Sequence, residues 1–135
     1  MDSKIIVIVG PTASGKSEIA VGLAKKLNGE VISADSRQVY QHLDIGSGKV
    51  PRDVNSKYEV RNSPYFYKGV RHHLIDVASS KRKFTVVRYQ KLARKALHDI
   101  LKRGVVPIIA GGTGFYIDAL LSGQVFPEVS PQPDL

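Results

Sequence analysis

The sequence predicts an α/β protein built on a doubly wound parallel sheet, and three observations carry that prediction. Short apolar runs at residues 5–9 and 105–110 have the length of buried strands. Between them, apolar residues recur at helical spacing, as in Ile19, Ala20, Leu23, Ala24 and Leu27. The third is Gly10-Pro11-Thr12-Ala13-Ser14-Gly15-Lys16-Ser17, which matches G-x-x-x-x-G-K-[ST] at every fixed position and lies between a strand pattern and a helix pattern. Strands alternating with helices imply a parallel sheet that binds ligands at the carboxyl ends of its strands.

Taken in order, residues 4–9 read as the first strand and residues 15–27 as the first helix, which Asn28-Gly29 stops. Residues 30–34 form a short second strand ending at Asp35, and residues 39–44 a helical turn before Gly46-Ser47-Gly48. Residues 50–70 carry Pro51, Asn55, Asn62, Pro64 and Gly69 without an apolar period and read as an irregular insertion; its Tyr58, Tyr65, Phe66 and Tyr67 can pair as a hairpin. Thr85 resembles an N-cap for a long helix whose stripe is Tyr89, Leu92, Ala93, Ala96, Leu97, Ile100 and Leu101, with Gly104 at its end. Residues 105–110 are a further strand ending in Gly111-Gly112-Thr113-Gly114, and residues 116–121 a short helix. Three core strands are few for a sheet of this type, so the sequence is expected to be an incomplete core, a fragment of a longer enzyme.

Composition narrows the class. The 42% hydrophobic and 24% charged shares are those of an ordinary globular chain, and no run approaches the ~18 apolar residues of a membrane span. The absence of cysteine excludes a disulfide scaffold and a thiolate zinc site, and fits a reducing cytoplasm. A monomer without membrane attachment is the expectation. The formal charge of +8 is concentrated between residues 81 and 103, where nine Lys and Arg face one acid, Asp99. A polyanionic partner and a solvated helix face are both open readings of that excess.

The glycine loop supplies the chemistry. Backbone N–H groups there and at the helix start converge on phosphate oxygens, Lys16 adds a mobile charge, and the Ser17 hydroxyl can hold Mg²⁺. The architecture is therefore P-loop NTPase-like, and a di- or triphosphate is the expected ligand. The strand at 105–110, however, ends in Gly-Gly-Thr without the carboxylate that ATPases place there to hold the metal. The strand-end carboxylate is Asp35, within Ser33-Ala34-Asp35-Ser36-Arg37-Gln38-Val39-Tyr40. Either it acts on the ligand or it caps the turn that follows. Thr113 likewise can serve the site or cap the last helix. His72 and His73 are adjacent, so their side chains diverge and a shared metal is disfavoured; one is expected to pack near the site.

These segments, with Asp44-Ile45-Gly46-Ser47-Gly48-Lys49, His72-His73-Leu74-Ile75-Asp76 and Gly111-Gly112-Thr113-Gly114-Phe115-Tyr116, occur in an order that closely resembles the tRNA dimethylallyltransferases, also called tRNA isopentenyltransferases. The resemblance covers residues 4–123. It departs in the length of residues 50–70 and in lacking the family's downstream half. It implies transfer of a dimethylallyl group from dimethylallyl diphosphate to N6 of adenosine 37 beside the tRNA anticodon, releasing diphosphate, with Mg²⁺ as cofactor and the anticodon stem-loop as partner. By resemblance Gly10, Pro11, Thr12, Ala13, Ser14, Gly15, Lys16 and Ser17 hold the diphosphate, and Asp35 is the general base. Asp35, Ser36, Arg37, Gln38 and Thr113 then meet the tRNA. An adenylate prenyltransferase of the cytokinin type, a small-molecule kinase and a non-catalytic nucleotide-binding module are the alternatives.

Overall fold

The computed structural model describes residues 4–10, 15–40, 65–75, 77–78 and 83–122. Among these, the elements run β1 (Ile6–Val9), α1 (Lys16–Leu27), β2 (Gly29–Ser33), β3 (Tyr65–Tyr67), β4 (Val70–His73), α2 (Val86–Lys102), β5 (Val106–Gly111) and α3 (Gly114–Leu121). The strands form one sheet in the order β1-β5-β2-β4-β3. All pairings are parallel except the β3–β4 hairpin.

Helices cover both faces, as a doubly wound sheet requires. On one face α1 lays Ala20, Val21 and Ala24 on Val31 of β2, Val70 of β4 and Ile108 of β5. It stops at Asn28, whose left-handed φ of 56° turns the chain directly into β2. On the other face α2 and α3 pack together over Ile32 and Ile109, with Tyr89, Ala93, Ile100, Ile117 and Leu120 between them. Thr85 caps α2 as its sequence suggests: its Oγ1 accepts the N–H of Arg88 at 3.2 Å.

The stretch expected to be irregular ends in regular structure. Tyr65–Tyr67 pairs antiparallel with Val70–His73 across the Lys68-Gly69 turn, and β4 then joins β2 in parallel, Val31 opposite His72 and Ile32 opposite His73. Tyr58, residues 41–64 and the tail from residue 123 lie outside the described residues. No helix among the described residues is long and apolar enough to cross a membrane.

Candidate active site

The site is built where β1, β5 and β2 end. Of the glycine loop, Pro11, Thr12, Ala13 and Ser14 lie outside the described residues. At its entry Gly10 donates its N–H to the Gly111 carbonyl at 3.4 Å, tying the end of β1 to that of β5. At its exit Gly15 takes φ 82°, a left-handed conformation that glycine adopts at no steric cost, and α1 starts at the next residue. The first two residues of α1, Lys16 and Ser17, thus stand where a helix N-terminus is electropositive.

Lys16 is buried, and with Ser17 it borders a cavity of about 320 Å³ counting the space open to solvent. Ala20 and Val31 form the cavity's apolar floor, and Ser33, Gln38 and His72 complete its polar wall. Successive residues of a strand point to opposite faces, which explains the fate of the histidine pair. His72 lies on the α1 side, its Nδ1–H donating to the Val70 carbonyl at 3.0 Å. His73 lies on the α2 side, with Nε2 2.7 Å from Glu30 Oε1. Burial holds the His73 ring below the ordinary histidine pKa, so at neutral pH it is an uncharged donor to Glu30. The Glu30 carboxyl is brought down to about 2, chiefly by the two-pronged contact with Arg103 at 2.6 and 2.9 Å.

Asp35 follows β2 directly and is only 6% exposed. Its Oδ1 accepts the N–H groups of Arg37 at 2.8 Å and Gln38 at 3.3 Å, so the carboxylate does cap the turn after it. That turn sorts its side chains. Ser36 and Arg37 are exposed, whereas Gln38 is buried with Oε1 accepting the Ser33 hydroxyl at 3.1 Å. Gln38 therefore faces the same cavity as Lys16, on the opposite side of the turn from Arg37. Asp35 itself is not part of that cavity's wall. It lies beside Tyr116, whose hydroxyl is pushed up to about 12 by burial and by the neighbouring Tyr40 and Asp35.

Thr113 occupies the N-cap position of α3, yet its side chain makes no capping bond there. Its Oγ1 instead accepts the N–H of Ser36 at 3.0 Å, and its own N–H donates to the Ala34 carbonyl at 3.1 Å. The reason the chain has glycine at 111 is geometric: a Cβ there would fall 2.2 Å from the Ala34 carbonyl oxygen. Only glycine lets β5 cross the end of β2 this closely. The motif residues thus form two groups on either side of the Asp35–Gln38 turn. Lys16, Ser17 and Gln38 border the cavity; Asp35, Ser36, Thr113 and Tyr116 cluster beyond the end of β2.

One buried hydroxyl, that of Tyr89, escapes a reading based on motifs alone. Tyr89 donates to the Ser33 carbonyl at 2.9 Å and stacks on Tyr116, with centroids 4.1 Å apart. A tyrosine inside an otherwise apolar helix stripe is the available signal, since its hydroxyl needs a buried acceptor. Among the described residues no group of three or more His, Asp or Glu side chains could hold a metal ion. Among the described residues the donor offered to Mg²⁺ is the Ser17 hydroxyl, and this suits an ion that keeps several waters and takes its other oxygens from a bound diphosphate.

The comparisons with known proteins match this frame. The family model described as IPP transferase matches residues 38–134, and that described as Isopentenyl transferase matches residues 3–65. A tRNA dimethylallyltransferase of Lactiplantibacillus plantarum is 43% identical over 132 residues, which are 98% of this chain and 39% of that protein. The solved tRNA delta(2)-isopentenylpyrophosphate transferase of Staphylococcus epidermidis is 46% identical with a TM-score of 0.75, over 96% of this chain and 38% of that one. A eukaryotic dimethylallyltransferase, solved acting on tRNA, is 34% identical with a TM-score of 0.77, over 93% of this chain and 28% of that one. The chain spans 35–41% of the length of the curated relatives it matches. With one family model covering most of its length and a P-loop NTPase-like sheet that superposes on solved members, the chain belongs to the IPP transferase family.

Proposed function

We propose that this chain carries the phosphate-binding half of a tRNA dimethylallyltransferase, a cytoplasmic enzyme that moves a dimethylallyl group from its diphosphate to N6 of adenosine 37. One observation carries the reading: buried Lys16, at an electropositive helix start, borders a cavity that Gln38 also lines, and Gln38 belongs to the turn capped by the buried carboxylate of Asp35. Transfer of this kind needs both, an anchor for the leaving diphosphate and an acceptor for the proton of an incoming amine.

In the reaction the allylic C–O bond breaks and its electron pair leaves with the diphosphate. The N6–C bond forms, and one N6 proton passes to the Asp35 carboxylate. Loop amides and Lys16 stabilise the charge gathering on diphosphate. Ser17 would hold Mg²⁺, which supplies further neutralisation of that charge when bound. Asp35 Oδ1 is engaged by two backbone N–H groups, so the carboxylate is fixed in direction, leaving Oδ2 as the proton acceptor.

The adenosine must leave the anticodon stack to reach the strand ends. Exposed Ser36 and Arg37 stand at that rim, and the fixed Thr113 hydroxyl holds the Ser36 backbone in place. Gln38, turned inward, serves the diphosphate side as much as the nucleotide side. Along α2, Arg88, Lys91, Lys95 and Lys102 are exposed at spacings of three, four and seven, which makes one basic ridge suited to RNA phosphates.

The test is a chimera in which this chain replaces the matching segment of the Staphylococcus epidermidis relative. It is supplied with dimethylallyl diphosphate, Mg²⁺ and unmodified tRNA, and the nucleosides are analysed by mass. Dimethylallyladenosine in the tRNA is the expected product. Prenylated AMP without prenylated tRNA, or phosphate transfer from ATP to any acceptor, would overturn the proposal.

A further inference from the structure

The β3–β4 hairpin turns on Lys68 and Gly69, whose φ values are 50° and 78°. Two left-handed positions make the turn that best follows strand twist, but lysine adopts that conformation at a steric cost that something else must offset. Its side chain reaches α1. Lys68 Nζ lies 2.7 Å from Glu18 Oε2, and the Tyr67 hydroxyl donates to Glu18 Oε1 at 2.6 Å. The Lys68 ammonium also sits 5.4 Å above the Tyr67 ring. The same ring meets His72 edge-on at 6.0 Å, and His72 is part of the cavity wall. The hairpin therefore reaches the cavity wall through His72 and the first turn of α1 through Glu18.

Glu18 belongs to the first turn of α1, two residues after Lys16. A carboxylate there favours the helix start, yet the helix start is also where the phosphate-binding reading puts a polyanion. The two demands conflict. Unit charges ~8 Å apart in water interact by roughly one RT, and a diphosphate bears two or three charges, so an unscreened Glu18 would oppose binding measurably. Protonation offers no relief, because the ammonium of Lys68 and the hydroxyl of Tyr67 keep the Glu18 carboxyl below the usual carboxylate range.

We propose that Tyr67 and Lys68 are positioning residues that neutralise Glu18 beside the phosphate-binding turn, so that the hairpin sets the affinity of α1 for a di- or triphosphate. The proposal rests on the phosphate-binding reading of residues 10–17. The pair is roughly half exposed, 49% at Lys68 and 56% at Glu18, and exposed pairs add little to folding stability. Its consequence is therefore in binding.

The test is calorimetric titration of inorganic diphosphate with Mg²⁺ into the 135-residue chain at low ionic strength. Lys68→Met should weaken binding by ~3–10-fold, Tyr67→Phe by less, and both losses should shrink as salt shortens the screening length. Adding Glu18→Gln to Lys68→Met should restore affinity, which a purely structural role for the hairpin would not do. Unchanged affinity in Lys68→Met, or a loss that persists in the double variant, overturns the proposal while the phosphate site stands. Failure of the unaltered chain to bind diphosphate removes both.

Discussion

The hydroxyl of Thr113 accepts the backbone N–H of Ser36 at 3.0 Å, joining two loops 77 residues apart in sequence. The Thr113 N–H meanwhile reaches the Ala34 carbonyl at 3.1 Å. Asp35 lies between these two anchored residues. Its direction is thus set by β5 as well as by its own turn, which no local reading of the Ser-Ala-Asp-Ser segment conveys.

That joint depends on Gly111. Its Cβ, if present, would meet the Ala34 carbonyl oxygen at 2.2 Å, and the obstacle is backbone and cannot rotate away. Gly111→Ala is expected to destabilise the fold by about 1–3 kcal/mol or more, the range for forced overpacking. Thermal unfolding followed by circular dichroism reads this directly, and an unchanged Tm would contradict it. Thr113→Val, which keeps the shape and drops the hydroxyl bond, should cost less, about 1 kcal/mol.

Asp35 has a capping duty and a chemical one, and two substitutions separate them. Asn keeps an Oδ1 acceptor for the N–H groups of Arg37 and Gln38 but is a poor proton acceptor. Asp35→Asn should leave diphosphate affinity intact and lower turnover in the chimera by ~10²–10⁴. Asp35→Ala should lose turnover and also about 1 kcal/mol of stability, as the turn is uncapped. A parallel fall in diphosphate affinity for the Asn variant would move Asp35 from the base role to the diphosphate's own surroundings.

Acid should destabilise the fold in two steps. His73 is held below its ordinary pKa of 6.5, chiefly by burial, and Glu30 is held at about 2 against an ordinary 4.5, chiefly by Arg103. In both cases the unfolded chain binds more protons than the folded one, so stability rises with pH across each window. The His73 contribution is complete above pH 6.5 and fades as pH falls below it; that of Glu30 is complete above 4.5 and fades towards 2. With Arg103 partly exposed, the Glu30 step is worth about 1–2 kcal/mol after screening. Tm measured from pH 8 downward should fall accordingly, and Glu30→Gln should flatten the lower step.

The basic ridge of α2 can be separated from its look-alike neighbour. Arg94 belongs to the same charge-rich segment but is half-buried, its guanidinium bonded to the carbonyls of Leu120 and Ser122 at the end of α3. Gln90 does the same for Ala119 at 2.7 Å. Replacing Lys91, Lys95 and Lys102 by Glu should weaken tRNA binding and reduce its salt slope by about one for each phosphate no longer neutralised, with the fold intact. Arg94→Glu should instead unsettle the α2–α3 pair. Filter binding across a salt series distinguishes the two, and an unchanged slope in the triple variant would remove the ridge from the RNA path.

Much of the frame was legible because it is local. The first strand and first helix, the Thr85 cap and the α2 stripe rest on periodicity and capping chemistry within a few residues, and their boundaries shift by two residues at most. β4 was not legible: Val70-Arg71-His72-His73 contains a single aliphatic side chain, and its place in the sheet depends on pairing with β2, about forty residues earlier in the chain. The inward turn of Gln38, the Thr113–Ser36 bond and the use of Arg94 on α3 are likewise long-range. A polar side chain's partner cannot be read from spacing when that partner comes from another element.

One margin of the sheet has a practical consequence. Among the described residues β1 pairs only with β5, and Val7 and Val9 on that outer strand expose 38% and 64% of their surface, with Ile5 just before it at 39%. An apolar edge with unspent backbone donors invites a second molecule to add to it. Mutual repulsion from a formal charge of +8 opposes such addition, and electrolyte weakens that repulsion. Purified material is therefore expected to stay clear in dilute buffer and to turn cloudy as sodium chloride is raised, the reverse of ordinary salting-in.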